Sequence, residues 1–343
     1  DGYAYARGTA DDKYMAAAWV ANFIRWKQER YRPDRDLVIV LECDEEISDR
    51  HGLGIRWLLA KQRPLLDAEF ALNEGGGVGA KNGKPIWNAI QTTEKLFQTF
   101  WLEVRDTGGH SSQPRKGNAI YTLANGLARL EKHAFPVQLN DTTRRYFETM
   151  AKIETGQNAS DMKAVLAAKP DPAAVERLGN QPPFNAQLRT TCTPTRLEGG
   201  HAENALPQLA RVMVNCRLVP GHRVEDVQQA LVQVLADPKI VVTAEPRDTG
   251  SEPSPMNKEL FAAVETLTEK FWPGVVVMPV MSTGATDGRY LRNAGIPTYG
   301  HSGLAQDIFD NRAHGKDERV QLAAFHTGHQ YLYELVKKLA GGT

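Results

Sequence analysis

The run from Leu37 to Glu46, LVIVLECDEE, constrains the fold most, because five apolar residues are followed, after Glu42, by a cysteine and three consecutive carboxylates around Glu45. A run rich in Val, Ile and Leu predicts a buried parallel strand. The acids would then lie at its carboxyl end, where open α/β sheets place their sites, and cations would offset their mutual repulsion. A solvated acidic loop, with Glu45 or Glu46 paired to a basic residue, is the alternative.

Length and composition narrow the classes of protein to which this chain could belong. The 343 residues predict about two domains, and equal numbers of basic and acidic residues, 41 each, give no reason to expect a nucleic-acid partner. The apolar runs have strand length, below the ~20 residues of a membrane-spanning helix, so no membrane partner is expected. Cys43, Cys192 and Cys216 are too few and too scattered for a disulfide framework or a cysteine zinc site, and they leave open a cytoplasmic, periplasmic or secreted location.

The first part of the chain alternates helices and strands that end in acids. Asp11 and Asp12 precede a run with helical spacing, where they could simply cap the helix. A helix over 53–61 follows the 37–46 run, and residues 68–74 form a second short strand that ends in Glu74. These acidic ends predict an α/β sheet with one edge lined by carboxylates.

The middle of the chain has a different pattern, typical of half-buried antiparallel strands. Its order of strand, helix, two strands, helix and strand predicts a split βαβ, ferredoxin-like unit over 96–250 that interrupts the first domain, 1–95 and 251–343. A polar, irregular segment at about 136–183, with helical pieces around 144–153 and 161–168, is interpreted as an insertion. The predicted strands and helices of the unit are 97–105, 119–130, 187–195, 211–218, 224–235 and 240–244.

Four side chains stand out as metal ligands: Asp11, Glu46, Glu74 and His314. Carboxylate oxygens and an imidazole are the donors that one or two divalent ions such as zinc use in hydrolases, where a carboxylate can bridge two ions and a free acid can serve a water. Their separation in the sequence makes the spacing alone weakly specific.

Seven segments in fixed order give a more specific indication, and together they resemble the M20 family of metallopeptidases and deacylases along nearly the whole chain. Within that family the chain looks most similar to the carboxypeptidase S and aminoacylase-like branch, through the insertion and FNAQLRTT at 184–191. The segments are ARGTADDK at 6–13, DEE at 44–46, NEG at 73–75, GHSS at 109–112, GGHAENALP at 199–207, TDGR at 286–289 and HGKDE at 314–318.

The resemblance implies an α/β, zinc-exopeptidase-like catalytic domain with a mixed sheet and a lid or dimerisation domain. It implies two divalent ions, Zn²⁺ or alternatively Mn²⁺ or Co²⁺, bridged by Asp11, with a cis peptide bond after that residue. Glu46 and His314 would hold one ion and Glu74 the other. Glu45 matches the general base, which takes a proton from the attacking water and delivers it to the leaving amine.

The resemblance also implies residues that contact the substrate. His110 would reach from the partner subunit of a homodimer to the oxyanion, although without the motif a turn histidine is the simpler interpretation. Asn204 and Arg217 would bind the substrate carboxylate, for which the two-pronged guanidinium is suited, although Arg217 could equally form a surface ion pair. Gly284 and Thr286 would lie in the loop that faces the substrate.

The remaining histidines are interpreted as structural. His201 and His301 lie near the motifs and would support the site without binding metal or substrate themselves. The others belong to no motif and are expected at the surface or in packing: His51, His133, His222, His326 and His329. The family's His-x-Asp motif lies upstream of residues 6–13, and we expect it in a longer protein of which this chain is the N-terminally incomplete remainder.

Three functions remain open at this point. The first is a carboxypeptidase that releases C-terminal amino acids from short peptides. The second is an N-acyl amino-acid deacylase, which needs the same site and differs in what binds on the acyl side. The third, of another class, is an inactive homologue that binds peptides or serves dimerisation, and the presence of all the site acids argues against it.

Overall fold

The computed structural model describes residues 2–47, 52–247 and 250–342. Within these ranges, helices α1 to α11 span Lys13–Glu29, Gly54–Lys61, Ala119–Glu131, Asp141–Ile153, Gly156–Val165, Pro172–Gly179, Pro182–Leu188, Val224–Leu235, Lys258–Phe271, Gly288–Asn293 and Leu322–Ala340. Strands β1 to β14 span Tyr3–Tyr5, Ala71–Asn73, Gly77–Lys81, Lys84–Glu94, Leu96–Arg105, Gly109–His110, Thr191–Gly199, Ala205–Leu206, Leu209–Leu218, Val241–Ala244, Val276–Ser282, Thr298–Gly300, Ala305–Asp307 and Arg319–Gln321.

A mixed six-stranded sheet combines three strands from before residue 95 with three from after residue 275, as expected for an α/β protein. Its order is β13-β3-β4-β12-β2, and β11 pairs with β4 in parallel. Helices α1, α9 and α11 pack with this sheet around a core that includes Ile90, Val264, Tyr331 and Leu335. The β3–β4 hairpin was not predicted, because β4 buries polar residues such as Asn88 that hide its strand pattern.

A separate antiparallel sheet has the order β10-β5-β9-β7. In chain order these are the fourth, first, third and second strands, and helices α3 and α8 pack on the sheet, which is a split βαβ arrangement. Strand β9 alternates buried and partly buried residues throughout, the pattern of a strand with one covered face. Phe100 and Val214, both fully buried, lie in the core of this sheet.

The segment between α3 and β7 is more helical than predicted: helices α4 and α5 lie close to the two predicted pieces, and α6 and α7 were not predicted. Helices α4 to α7 enclose their own core, which includes Phe147 and Met162, and α4 packs against β11. The strand predicted over 187–195 is therefore wrong at its start: Pro182 opens helix α7, which continues to Leu188, and β7 begins only at Thr191. Proline suits the first turn of a helix, where no N–H bond is lost.

The buried strand predicted for residues 37–41 is not formed in the described structure. The run has no regular secondary structure and joins no described strand, and the side chains of Val38 and Leu41 are 55% and 60% exposed. An apolar run becomes a strand only where its backbone groups find ladder partners. The acids that follow lie at a 3₁₀ turn, Glu45–Ile47.

Two of the cysteines form a single disulfide, which was not predicted. Cys192 and Cys216 form a disulfide, because β7 and β9 pair with these residues directly opposite, their Cα atoms 4.0 Å apart despite 24 residues of separation. Cys43 is free and exposed. No helix of the described chain has both the length and the apolar character needed to cross a membrane.

Candidate metal centre

Three of the predicted ligands converge. Asp11 lies just before α1, Glu46 in the 3₁₀ turn and His314 in the loop before β14. The His314 Nε2 atom is 2.9 Å from Asp11 Oδ2 and 3.0 Å from Glu46 Oε2, and one donor atom from each residue lies within 4.8 Å of the others. Two carboxylate oxygens and an imidazole nitrogen at such distances form a donor set for a divalent ion.

Glu45 and Glu74 form a second pair in the same cavity. Their side chains are hydrogen bonded to each other, and both line a cavity of about 1150 Å³ together with Asp11, Glu46 and His314. Burial raises the pKa of both carboxyls above the ordinary glutamate range, and Glu45 raises that of Glu74 further. Two carboxyls this close repel each other when both are charged.

The rest of the cavity adds more acids. Asp12, Glu42 and Asp287 also line it. Burial, with the charges of Asp11, Glu46 and Glu45, raises the pKa of Asp12 to about 7. Burial and the neighbouring Asp287 raise the pKa of Glu42 to about 8. So many carboxylates in one cavity repel each other, and divalent cations would relieve this repulsion, so the donor set fits metal ions.

Glu318 ties two ligand loops together, and sequence reasoning assigned it no role. This buried carboxylate accepts hydrogen bonds from the backbone N–H groups of Gly8, Ala10 and Asp11 at 2.9, 2.9 and 3.1 Å. Arg7 donates to Glu318 at 2.9 Å and to the carbonyl oxygen of His314 at 3.1 Å. The signal was present, because Glu318 closes the HGKDE segment.

The backbone at Asp11 has the geometry implied by the resemblance. The peptide bond between Asp11 and Asp12 is cis. Asp12 caps α1, its side chain accepting a hydrogen bond from the N–H of Met15 at 3.2 Å. The two neighbouring acids therefore have different partners. Asp12 caps helix α1, whereas the Asp11 carboxylate lies beside the His314 ring.

The predicted substrate residues lie in other places. His110 and Asn204 come together, because β6 pairs with β8 and the Ser111 N–H donates to the Asn204 carbonyl oxygen at 3.0 Å. Arg217 lies on β9, its guanidinium 4.5 Å above the ring of Phe97. Among the described residues that line the acidic cavity, none of these three occurs.

Gly284 and Thr286 lie in the loop between β11 and α10, beside the cavity-lining Asp287. His301 is fully buried and bonded to the Ala89 carbonyl oxygen and the Tyr331 hydroxyl at 2.9 and 2.8 Å, whereas His201 is exposed. His51 lies outside the described residues.

The α/β sheet, with acids and a histidine gathered beside it, defines the class of a metal-dependent hydrolase. The sequence model of peptidase family M20/M25/M40 matches residues 1–338, and the chain belongs to this family of metallopeptidases.

Individual relatives share less than a third of their aligned residues with this chain. The human N-fatty-acyl-amino acid synthase/hydrolase is 28% identical over 355 residues, covering 98% of this chain and 68% of the relative. A probable carboxypeptidase S-like protein of Dictyostelium discoideum is 27% identical, with 98% and 66% covered. The chain thus spans about two thirds of the length of these relatives.

Solved structures agree on the fold. An M20 family metallo-carboxypeptidase from Sulfolobus solfataricus superposes with a TM-score of 0.68 at 18% identity, covering 99% of this chain and 78% of that chain. A tripeptidase from Staphylococcus aureus gives a TM-score of 0.65 at 17% identity, with 99% and 74% covered.

Proposed function

We propose that the protein is a di-metal hydrolase that cleaves the amide bond next to a free carboxylate and releases C-terminal amino acids from short peptides. The observation that supports this most is the convergence of Asp11, Glu46 and His314, with Glu45 in the same cavity. A hydrolase of this kind needs ligands for cations and a separate carboxylate that can exchange protons with water.

The ligands would be divided between two sites. Glu46 and His314 would hold one ion, Glu74 the other, and Asp11 would lie between them. Zn²⁺ suits these oxygen and nitrogen donors, with Mn²⁺ or Co²⁺ as alternatives. When bound, the ions supply Lewis acidity, which polarises the substrate carbonyl and makes water easier to deprotonate.

Glu45 would be the general base and then the general acid. It would accept a proton from the water as the water oxygen bonds to the carbonyl carbon. It would then pass that proton to the amide nitrogen, so that the C–N bond breaks and the amine leaves uncharged. Burial keeps its pKa above the ordinary glutamate value, which suits a group that must both take and return a proton near neutral pH.

The remaining residues would hold the substrate. Arg217 and Asn204 would bind its carboxylate, and the loop with Gly284 and Thr286 would face its backbone. His110 would stabilise the oxyanion from the partner subunit of a homodimer. For this the unit at 96–250 would serve as lid and dimerisation domain. A fully active monomer in sedimentation would rule out the role of His110 in trans.

N-acyl amino-acid hydrolysis is the second candidate, because the human relative named above is an N-fatty-acyl-amino acid synthase/hydrolase at 28% identity. The substrates of the two reactions both have a free carboxylate next to the amide bond. They differ in the acyl group on the other side of that bond. A direct comparison would give the purified, zinc-loaded protein a blocked dipeptide and an N-acyl derivative of the same C-terminal amino acid, and measure its release.

We expect a higher kcat/KM for the dipeptide. A preference for the acyl derivative would favour the second candidate. Release from neither, with metal bound, would favour an inactive homologue that binds peptides. His326→Gln, outside every motif, serves as a control for general damage to the protein.

A further inference from the structure

Glu94, the last residue of β4, is a buried carboxylate whose hydrogen bonds point to the loop between β11 and α10. It accepts from the Thr286 N–H at 3.1 Å and from the Thr286 hydroxyl at 2.7 Å. Gln91 also donates to it, at 3.3 Å. The carboxylate thus accepts from both hydrogen-bond donors of Thr286.

The charge of Glu94 is matched by Arg292, on α10. The Arg292 Nη2 atom lies 2.9 Å from Glu94 Oε2, and the two side chains are only 4% and 3% exposed. A buried ion pair is weak evidence for stability, because desolvation offsets the attraction, and such pairs can instead specify a geometry. The geometry specified here is that of the turn from β11 into α10.

The same turn leads to the cavity. The Thr286 hydroxyl accepts a hydrogen bond from the Gly288 N–H at 3.1 Å, at the start of α10. Asp287, between these two residues, lines the acidic cavity. Gly284, on the other side of Thr286, is exposed. Glu94 therefore holds the middle of a loop with one end at the cavity and the other end exposed.

The ion pair also lies where the chain passes between the two sheets. Lys95, the next residue after Glu94, joins β4 to β5, and its N–H donates to the Ser282 carbonyl oxygen at 2.9 Å. Arg292 donates through Nε to the hydroxyl of Ser251, on the return passage, at 2.8 Å. Strand β11 and helix α10, which flank the loop, are thus hydrogen bonded to the two segments that connect the sheets.

We propose that Glu94, held by Arg292, is a positioning residue that fixes Thr286 so that the 284–286 backbone faces the bound substrate. The proposal rests on the proposed function only in assigning the substrate to this loop. Loss of the carboxylate frees the turn, and the substrate then has to order it on binding.

Two variants test the proposal, Glu94→Ala and the milder Glu94→Gln, which keeps an acceptor for the Thr286 N–H. Asp161→Asn is the matched control, because Asp161 is also a buried acid paired with an arginine, Arg177, but lies in the helical segment. We expect Glu94→Ala to raise KM roughly tenfold or more with a smaller change in kcat, Glu94→Gln to recover part of the loss, and Asp161→Asn to leave KM unchanged.

Amide hydrogen exchange gives a readout that does not need activity. A peptide covering 282–290 should exchange roughly tenfold faster in Glu94→Gln than in the parent, and a peptide covering 156–165 should not change. Unchanged exchange at 282–290 would overturn the proposal, whether or not the parent is active. Faster exchange with KM equal to that of an active parent would also overturn it. Failure of the parent to release amino acids would count against the proposed function alone.

Discussion

The Glu318 carboxylate accepts a hydrogen bond from the backbone N–H of Asp11 at 3.1 Å, across 307 residues of sequence. This contact places the Asp11 loop against the loop that carries His314. Burial alone would raise the pKa of Glu318, but the N–H groups of Gly8, Ala10 and Asp11 and the charge of Arg7 lower it overall. A charged Glu318 is therefore part of the architecture of the metal centre.

Glu318→Gln should weaken metal binding. The amide keeps the shape of the side chain but offers only one acceptor oxygen, so that the Asp11 and His314 loops lose part of their connection. We expect affinity for zinc about 10–100-fold lower, the usual effect of removing a residue that orients ligands. Competition with a chelator measures this. Glu148→Gln, on the exposed face of α4, is the control, and equal affinities in both variants would contradict the role of Glu318.

Glu46→Gln and Glu74→Gln should each lower metal content from about two ions per chain to about one, because a neutral amide is a poor replacement for a charged ligand. The structure shows Glu46 beside His314 and Glu74 beside Glu45, in separate pairs. Elemental analysis of the purified variants measures the content. A parent with one ion, or two variants that lose none, would refute the division of ligands.

Glu45→Gln should abolish most activity and leave the metal in place. Removing a general base lowers kcat by about 10²–10⁴-fold, since water must then be deprotonated without help. The assay is amino-acid release under saturating substrate, with metal content measured on the same sample. Retention of more than about a tenth of kcat would assign the proton transfer to another group.

Asp161 gives a prediction about pH and stability. Its hydrogen bonds and ion pair with Arg177 hold the pKa of the Asp161 carboxyl below the ordinary aspartate value. A group with a lowered folded-state pKa stabilises the protein above its unfolded-state pKa, about 4, and this contribution is lost as the pH falls through the folded-state value.

The Tm of Asp161→Asn should therefore lie several degrees below that of the parent at neutral pH, and the difference should shrink as the pH falls below about 4. Thermal unfolding followed by circular dichroism at several pH values gives this comparison. A difference that stays constant with pH would show that Asp161 acts through packing and not through its charge.

The described helices outside the 136–183 segment were largely predictable from the sequence, because they bury one face each, and some of them begin at a recognisable cap. Helix α3, for example, was predicted over 119–130 and begins after Asn118, whose side chain caps it. The strands were less predictable. The run at 37–41 was apolar but has no ladder partner among the described strands, and β4 was missed because its buried residues are partly polar.

The site could be predicted in part. The motifs named Asp11, Glu46 and His314, which the structure brings together. The HGKDE motif contains Glu318 but did not indicate its role, and no motif contains Glu94, because both residues act through hydrogen bonds to backbone groups far away in sequence, which exist only in the folded chain. The Cys192–Cys216 disulfide was missed for a similar reason, since strand pairing alone makes the two residues neighbours.

The central claim is that metal ions held by these residues support hydrolysis next to a free carboxylate. The most direct test is release of free amino acid from a blocked dipeptide before and after treatment with a chelator, and again after zinc is restored. We predict that release stops when the metal is removed and returns with zinc. Release that continues undiminished in metal-free protein would contradict the account.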